Sequence, residues 1–157
     1  MSRTTRATKT LEQAGVRFTV HTYDYDPSAE RVGLQAAEAL GETPGRVLKT
    51  LMALVDGKPV CAIVPSDREV AMKKLAAAIG GKSAEMMKPA DAERITGYKV
   101  GGISPFGQMR RVPVVIEADA LAHDLVYLNG GQRGVQVRLN PRDAQAALAA
   151  VAAPLVA

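Results

Sequence analysis

The sequence predicts one α/β domain of the mixed α+β type, in which helices flank a curved, mixed β-sheet. A chain of 157 residues with 47% hydrophobic content is long enough for one core and short for two. Segments with helical periodicity alternate along it with strand-like segments. The strand candidates are short and joined by tight turns, which favours a curved sheet over a doubly wound parallel one. Residues 1–157 are therefore expected to form one domain.

The first half of the chain is predicted to hold three helices and three strands. A first helix ends near Gly15, a strand follows over residues 16–23, and a second helix spans residues 33–40. Two apolar strands, residues 47–55 and 59–64, meet at Asp56-Gly57, a dipeptide that favours a hairpin turn. Ser66 and Glu69 have the spacing of a capping box, which predicts a third helix from Ser66 to Gly80-Gly81.

The second half continues the alternation. A short helix is predicted from Pro89, which suits a first helical turn, to Gly97. Strand candidates cover residues 112–116, 125–128 and 135–139. Asn140 followed by Pro141 predicts the start of a last helix.

Composition and charge exclude several classes of function. No apolar run approaches the roughly 20 residues that a membrane span needs, and no signal-peptide pattern opens the chain, so we expect a cytoplasmic protein without a membrane partner. One cysteine and two histidines offer neither a disulfide nor zinc-ligand spacing, and no cofactor motif is present. The net charge of +4 permits a polyanionic partner, whereas two Phe, four Tyr and no Trp argue against a single-strand stacking platform. DNA is not expected as a partner.

The glycine-rich stretch Gly101-Gly102-Ile103-Ser104-Pro105-Phe106-Gly107 is the most informative segment. Such a loop keeps backbone N–H groups exposed and lets a ligand approach the main chain. It matches neither a Walker loop nor a dinucleotide fingerprint. On its own it could equally be a structural turn before the strand at residue 112.

Four other side chains are candidates for the same site. Lys49 lies within the apolar run Val47-Leu48-Lys49-Thr50-Leu51-Met52, where lysine is seldom buried without a function, although its stem could also snorkel to solvent. Tyr23 ends the first strand and could be an ordinary core aromatic. Arg110 and Arg111 follow the glycine loop and could face phosphates or simply water.

Together these segments resemble the YbaK/EbsC-like editing proteins. The likeness rests on four blocks in this order: Val20-His21-Thr22-Tyr23 with Asp26-Pro27, then Leu48-Lys49-Thr50-Leu51, then Thr96-Gly97-Tyr98 with the glycine loop, then Gly130-Gly131-Gln132-Arg133-Gly134. The resemblance implies deacylation of mischarged tRNA by a relative of the editing insertion of prolyl-tRNA synthetase. It implies catalytic roles for Tyr23, Lys49, Gly101, Gly102 and Ser104. It also implies that Ile103, Pro105, Phe106, Gly107, Gly130, Gly131, Arg133 and Gly134 bind substrate. Arg110 and Arg111 are assigned to tRNA phosphates from their position just after the loop.

One position departs from the family pattern. Where a relative can carry an acid, this chain reads Gly134-Val135-Gln136, so we assign Gln136 no catalytic role. Cys61 lies in an apolar run and is expected to be a buried core residue, and neither histidine has a partner for a triad.

With no nucleophile on the protein, the substrate is expected to supply its own. The thiol of a cysteinyl group on tRNA(Pro) would attack the ester, with Lys49 near the ester charge, the N–H groups of Gly101 and Gly102 on its oxygens, and Tyr23 orienting it. Two alternatives stay open. One is deacylation of alanyl-tRNA(Pro), or of another small amino acid, by activated water. The other is a non-catalytic module that binds aminoacyl-tRNA or prolyl-tRNA synthetase.

Overall fold

A computed structural model describes residues 4–28 and 32–157 and confirms a mixed α/β fold. Its helices are α1 (Arg6–Gln13), α2 (Val32–Leu40), α3 (Met72–Ala78), α4 (Pro89–Thr96) and α5 (Pro141–Leu148). Its strands are β1 (Phe18–Thr22), β2 (Leu48–Val55), β3 (Lys58–Pro65), β4 (Ala84–Met86), β5 (Val114–Glu117), β6 (Val126–Gln132), β7 (Val135–Leu139) and β8 (Val151–Ala153).

The strands divide between two sheets, where the sequence predicted one curved sheet. The larger sheet has the order β4-β2-β3-β5-β8 and is mixed, because β3 pairs in parallel with β5, and β5 with β8. The smaller sheet, β1-β7-β6, is antiparallel. A parallel bridge between Val47 and Tyr127 joins the start of β2 to β6. The two sheets therefore meet where β2 begins.

The turns and caps that the sequence predicted are largely confirmed. Asp56 and Gly57 have φ values of 50° and 80° and close the β2–β3 hairpin. Gly97 ends α4 in the left-handed conformation. The Asn140 side chain accepts hydrogen bonds from two backbone N–H groups at the start of α5. Each local signal is correct because the cap or turn residue acts on its own neighbours.

The third helix was placed wrongly by the capping-box pattern. The Ser66 hydroxyl donates to the Pro44 carbonyl, and α3 begins only at Met72, after an N-cap at Ala71 that has no side-chain hydrogen bond. Tertiary contact thus replaces the predicted cap. The three-residue strands β4 and β8 were not predicted, because so short a segment shows no periodicity.

The main core lies between α1, the glycine loop and the inner faces of both sheets, with Phe106, Leu11, Ile63 and Leu128 fully buried in it. A smaller cluster under α2 contains Val47 and Tyr127 and packs against Tyr23. Within the described ranges, no helix is long and apolar enough to cross a membrane.

A candidate active site beside the second strand

A cavity of about 430 Å³ opens between the start of β2, the loop before β5 and the smaller sheet. Most of its wall is apolar. The residues that line it are Leu48, Lys49, Thr50, Leu51, Met52, Ser66, Glu69, Met86, Met87, Pro89, Ala92, Val100, Gly101, Ile103, Asn129 and Gln136. Of these described residues, Lys49 is the only basic one and Glu69 the only acidic one.

The cavity exists because a neighbouring strand covers only part of β2. On that edge β4 pairs with Ala53–Val55, and the Met87 N–H then donates to the Met52 carbonyl. In the described chain no strand pairs with residues 48–51 on this side. Backbone N–H and C=O groups point to alternate sides along a strand. Those of Leu48 and Thr50 therefore point in the same direction as those of Met52, toward the cavity.

Lys49, which the sequence singled out as a candidate site residue, lies on this uncovered stretch. Its side chain is 19% exposed, and Nζ lies 3.4 Å from Oε1 of Glu69, whose own side chain is 68% exposed. An ion pair of this length to an exposed carboxylate is weak. The ammonium group is therefore held at the wall of the cavity without being neutralised by a buried partner.

Among the described residues, three buried side-chain oxygens have no hydrogen-bond partner: Tyr23 Oη, Thr50 Oγ1 and Gln136 Oε1. Thr50 and Gln136 line the cavity, and Tyr23 lies against Gln136. Burial raises the pKa of Tyr23 above its ordinary value of 10, an effect that contact with Gln136 partly offsets. Tyr23 is therefore a protonated phenol at neutral pH. Buried polar atoms without partners are rare in folded proteins and are concentrated here at the candidate site.

Asn129 joins the two glycine segments. Its Nδ2 donates to the Gly101 carbonyl at 3.2 Å, and its Oδ1 accepts from the Gly131 N–H at 2.7 Å. Asn129 is 9% exposed and lines the cavity. The sequence reasoning missed it, although an asparagine that ends the apolar run Val126-Tyr127-Leu128 was a usable signal.

Only the first part of the glycine loop reaches the cavity. Gly101 and Ile103 line it, and Gly101 has φ +90°. A Cβ on Gly101 would come within 2.6 Å of the Tyr25 hydroxyl. The guanidinium of Arg133 lies 5.4 Å from the Tyr25 ring and donates to the Val100 carbonyl at 2.9 Å. Tyr25 and Arg133 thus hold Gly101 from behind.

The remainder of the loop packs into the protein and lies outside the cavity wall, and this concerns four of the predicted site residues: Ser104, Pro105, Phe106 and Gly107. The Ser104 hydroxyl is fully buried and accepts from the Phe106 N–H at 3.1 Å. Phe106 belongs to the main core, and its carbonyl accepts from the Tyr98 hydroxyl at 2.5 Å. Pro105 is buried, and Gly107 packs against α1. None of the four lines the cavity.

Gly102 also differs from its predicted role. Its N–H donates to the Lys99 carbonyl at 2.8 Å, so this N–H is not free to bind a substrate oxygen. A Cβ on Gly102 would lie 2.8 Å from the Arg133 nitrogen and 3.0 Å from the Gln132 carbonyl carbon. The glycine is required because the loop packs directly on the β6–β7 turn.

The second glycine segment supports the first loop and does not line the cavity. Gly131 (φ +91°) packs near Tyr98, Gly134 (φ +80°) packs on the Tyr23 carbonyl, and Gly130 packs on Val135. The Gly130 carbonyl accepts from the hydroxyl of Thr5, the N-cap of α1. This turn therefore carries Asn129 and Arg133 into position behind the loop.

Arg110 and Arg111 are exposed and lie outside the cavity wall. The Arg110 N–H donates to the Ile95 carbonyl, which fixes the backbone beside the end of α4. Lys99, next to Val100 at the cavity, is exposed as well. The predicted pair is therefore accessible to solvent and lies outside the wall of the cavity.

Cys61 is a core residue, as predicted. It is fully buried on β3, and burial raises the pKa of its thiol to about 12, although Gln108 partly opposes this effect. The thiol is protonated at neutral pH and closed to substrate, so it cannot be the nucleophile.

Comparison with known proteins points to one family. The sequence model of the aminoacyl-tRNA editing domain family matches residues 27–147. EbsC of Enterococcus faecalis, a proposed Cys-tRNA(Pro)/Cys-tRNA(Cys) deacylase, is 36% identical over 139 residues, which cover 87% of this chain and 84% of EbsC. The multifunctional Ser/Thr-tRNA deacylase ProXp-y of Escherichia coli K12 is 31% identical over 140 residues, 85% of this chain and 80% of that protein.

The fold is shared with solved structures. The crystal structure of a proposed trans-editing enzyme for prolyl-tRNA synthetase superposes with a TM-score of 0.82 at 23% identity. The superposition covers 97% of this chain and 95% of the other. At this identity the likeness concerns the fold alone.

Proposed function

Because the chain belongs to the aminoacyl-tRNA editing domain family, we propose that it is an aminoacyl-tRNA deacylase that clears cysteinyl-tRNA(Pro). The observation that carries the proposal is the position of Lys49, a cation on the uncovered edge of β2 in the wall of a largely apolar cavity. The similarity to EbsC over most of both chains supports cysteine as the amino acid.

The proposed reaction uses the thiol of the substrate. The cysteinyl sulfur attacks the ester carbonyl carbon, the bond to the tRNA oxygen breaks, and the thiol proton passes to the departing hydroxyl. The cyclic thioester released then takes up water to give cysteine. Cys61 is buried and protonated, and this supports a nucleophile that comes from the substrate.

In this scheme the protein orients the aminoacyl group and stabilises charge. Lys49 lies beside the oxygen that becomes negative, and Gly101 and Ile103 let the ester approach the loop backbone. Orientation of this kind can contribute about 7–11 kcal/mol to an intramolecular reaction. A low-dielectric wall strengthens the effect of the single positive charge.

Binding of tRNA is proposed to involve its acylated 3′ end in the cavity and its phosphates on Arg110 and Arg111. The resemblance to the editing insertion of prolyl-tRNA synthetase makes that synthetase a candidate partner. We expect the protein to act in the cytoplasm, where tRNA is charged.

A second candidate substrate is supported by the relationship to ProXp-y, which is named for Ser/Thr-tRNA. A hydroxyl amino acid would require attack by activated water, since a side-chain hydroxyl is a poorer nucleophile than a thiol. Among the described residues of the cavity wall, Glu69 is the candidate general base for such a water.

A panel of charged tRNAs tests the proposal. Purified protein is incubated with cysteinyl-, seryl-, threonyl-, alanyl- and correctly charged prolyl-tRNA(Pro), and loss of the ester is followed. Rapid loss of the cysteinyl ester, with prolyl-tRNA(Pro) spared, is the expected result. No turnover of any of the five would contradict enzymatic function and favour a binding module.

A further inference from the structure

Thr50 lines the cavity, and the reaction proposed above gives its main chain no role. The direction of its backbone groups follows from the β2–β3 ladder, in which Met52 and Cys61 are opposite each other. The Cys61 N–H donates to the Pro113 carbonyl and the Met52 carbonyl accepts from Met87, so the backbone groups of this pair point away from each other. Thr50 lies two residues before Met52 on the same strand. Its N–H and C=O therefore also point away from β3, toward the cavity.

These two backbone groups are not paired within the described residues. On this edge of β2, the strand β4 pairs only from Ala53 onward. The strand β6 is joined to β2 by the isolated bridge between Val47 and Tyr127 and forms no ladder with it in the part of the chain that the structure describes. No loop or side chain of that part bonds to the Thr50 backbone. The strand edge at Thr50 thus offers one donor and one acceptor to a group bound in the cavity.

An aminoacyl ester carries the groups that match this edge. In antiparallel strands, two residues of a hydrogen-bonded pair each donate their N–H to the C=O of the other. The aminoacyl group of a charged tRNA has one amino nitrogen and one ester carbonyl, separated by one α-carbon, as in a residue of a strand. It can therefore make the same two hydrogen bonds to one unpaired residue of a strand edge.

We propose that the Thr50 main chain binds the aminoacyl group in this way, with its C=O accepting from the α-amino group and its N–H donating to the ester carbonyl oxygen. The inference rests on the proposed function, because it requires an aminoacyl ester in this cavity. The hydrogen bond from the N–H strengthens as the ester oxygen becomes negative during the attack. Lys49, the preceding residue on β2, lines the same cavity and supplies the positive charge.

The structure favours Thr50 as the backbone donor. The Gly102 N–H, which the sequence predicted for this purpose, is already bound to the Lys99 carbonyl. The strand that carries Thr50 is paired with β3 along its whole length, so the direction of the Thr50 N–H is fixed, as an oxyanion donor requires. Because the edge binds groups that every aminoacyl ester shares, the choice of amino acid is left to the rest of the cavity wall.

A substrate without the α-amino group tests the carbonyl acceptor. tRNA(Pro) charged with 3-mercaptopropionate keeps the thiol that attacks the ester and loses only the amino group. Single-turnover rates with saturating enzyme are divided by the rate of spontaneous cleavage in buffer, which corrects for the reactivity of each ester. The acceleration should be about 10-fold or more below that for cysteinyl-tRNA(Pro), because the Thr50 carbonyl is left without its partner. Equal acceleration of the two esters would overturn the inference.

Thr50→Pro tests the N–H donor. Proline has no N–H, and a strand tolerates it where the N–H faces an open edge. The substitution should slow cleavage of cysteinyl-tRNA(Pro) by about 100-fold, the effect of losing one oxyanion donor. A wild-type rate in a folded Thr50→Pro protein would also overturn the inference.

Val20→Pro is the matched control for proline in a strand. Val20 lies on β1, an edge strand, and outside the cavity wall. The Tyr23 N–H donates to the Gly134 carbonyl beside β7, so the Val20 N–H, three residues earlier, points to the open side of β1. This variant should keep the wild-type rate. An equal loss in both proline variants would overturn the inference, because it would assign the loss to proline itself.

Thermal unfolding shows whether each variant is folded. If Thr50→Pro does not fold, Thr50 is replaced by its α-hydroxy acid, which exchanges the N–H for an ester oxygen without restricting φ. The same loss of rate is expected, and full activity would overturn the inference. The wild-type protein separates this test from the proposed function. If it cleaves no aminoacyl-tRNA the proposed function fails, and if it accelerates the cysteinyl and 3-mercaptopropionyl esters equally only the present inference fails.

Discussion

A lysine on a strand inside the fold lowers stability unless its charge is paired or hydrated. Lys49 is only partly hydrated and has only a weak ion pair. Its side chain is 19% exposed, and its ion pair with the exposed Glu69 spans 3.4 Å. The pair adds little stability. The position is therefore better explained by the site than by the fold.

We expect Lys49→Met to slow deacylation by about 100-fold or more, because the ester oxygen loses its nearest positive charge. The melting temperature should stay within a few degrees of the wild type. Lys58→Met, at the far end of the β2–β3 hairpin, is the matched control and should keep full activity. Single-turnover rates and thermal unfolding check both variants, and an active, folded Lys49→Met protein would remove Lys49 from the mechanism.

Glu117, unlike Lys49, is a buried charged residue that stabilises the fold. Its carboxylate is 2% exposed and accepts from the N–H groups of Asp119, Leu155 and Val156. Burial alone would raise the pKa of Glu117, but these three donors, with the charge of Lys74, bring it below its ordinary value of 4.5. The contribution to stability is thus complete above pH 4.5 and is lost as the pH falls through the lowered pKa of the folded state.

Glu117→Gln should lower the free energy of unfolding at pH 7 by about 1–3 kcal/mol, because an amide has one acceptor oxygen for three donors. The difference from wild type should shrink as the pH is lowered below 4.5, where the wild-type carboxylate becomes protonated. Denaturant titrations at pH 7 and at several lower values measure it. A difference that does not change with pH would show that the charge of Glu117 is unimportant.

Single residues were predictable from the sequence when their neighbours made them conspicuous. Lys49 stood out as a charge in an apolar run, and Cys61 as a small residue in a core strand. Asn129 was missed although it ends an apolar run, and Gln136 was noted only as a departure from the family pattern, because a polar residue in a strand does not show whether its face lines a cavity. In the structure Gln136 is buried and lines the cavity.

At the scale of elements, the glycine loop performs two tasks with one sequence. Gly101 and Ile103 border the cavity, while Ser104, Phe106 and Gly107 fasten the loop to the core and to α1. The sequence predicted one functional loop but could not divide it into these two parts, since both are rich in turn formers. The Ser66 capping box was wrong for a related reason, because its hydroxyl finds the distant Pro44 carbonyl.

The two leading glycines should respond differently to substitution. Gly102→Ala places a Cβ against backbone atoms of the β6–β7 turn, so both activity and stability should fall, the latter by about 1–3 kcal/mol. In Gly101→Ala the new Cβ contacts the end of the Tyr25 side chain, which can move. The main effects are then backbone strain of about 1–3 kcal/mol, because alanine disfavours a positive φ, and a displaced cavity wall.

Gly57→Ala is the control for the φ effect alone, since Gly57 has φ +80° and open space around it, far from the cavity. Activity measured in conditions where each variant is fully folded separates the two effects. If Gly101→Ala retains as much activity as Gly57→Ala, the loop is a turn and no part of the site.

At the scale of the whole molecule, the net charge of +4 and the exposed pair Arg110 and Arg111 predict phosphate binding. On log–log axes, the dependence of tRNA affinity on salt has a slope of roughly −0.7 per neutralised phosphate of a single strand. Replacing both arginines by glutamine should make the slope shallower by up to roughly 1.4.

The control is the double variant Lys58→Gln with Lys82→Gln. It also removes two positive charges, but at the opposite end of β2. Binding titrations at several salt concentrations compare the two double variants. An equal effect of both would mean that net charge attracts tRNA without a defined contact at Arg110 and Arg111.

The overall class was predictable because hydrophobic period, turn residues and caps are local features of the segments that carry them. The division into two sheets was not, since it depends on the bridge between Val47 and Tyr127 and on the extent of β4. Those same contacts leave the edge of β2 uncovered, so the feature that creates the cavity could not be read from the chain.

The central claim is that the substrate thiol performs the attack in a cavity that contributes orientation and charge. The most direct test compares single-turnover cleavage of cysteinyl-tRNA(Pro) and alanyl-tRNA(Pro) by wild-type and Cys61→Ala proteins. Both proteins should cleave the cysteinyl ester faster by a factor of about 100 or more, because an intramolecular nucleophile is lost with alanine. Equal rates on the two esters, or loss of activity in a folded Cys61→Ala protein, would contradict the account.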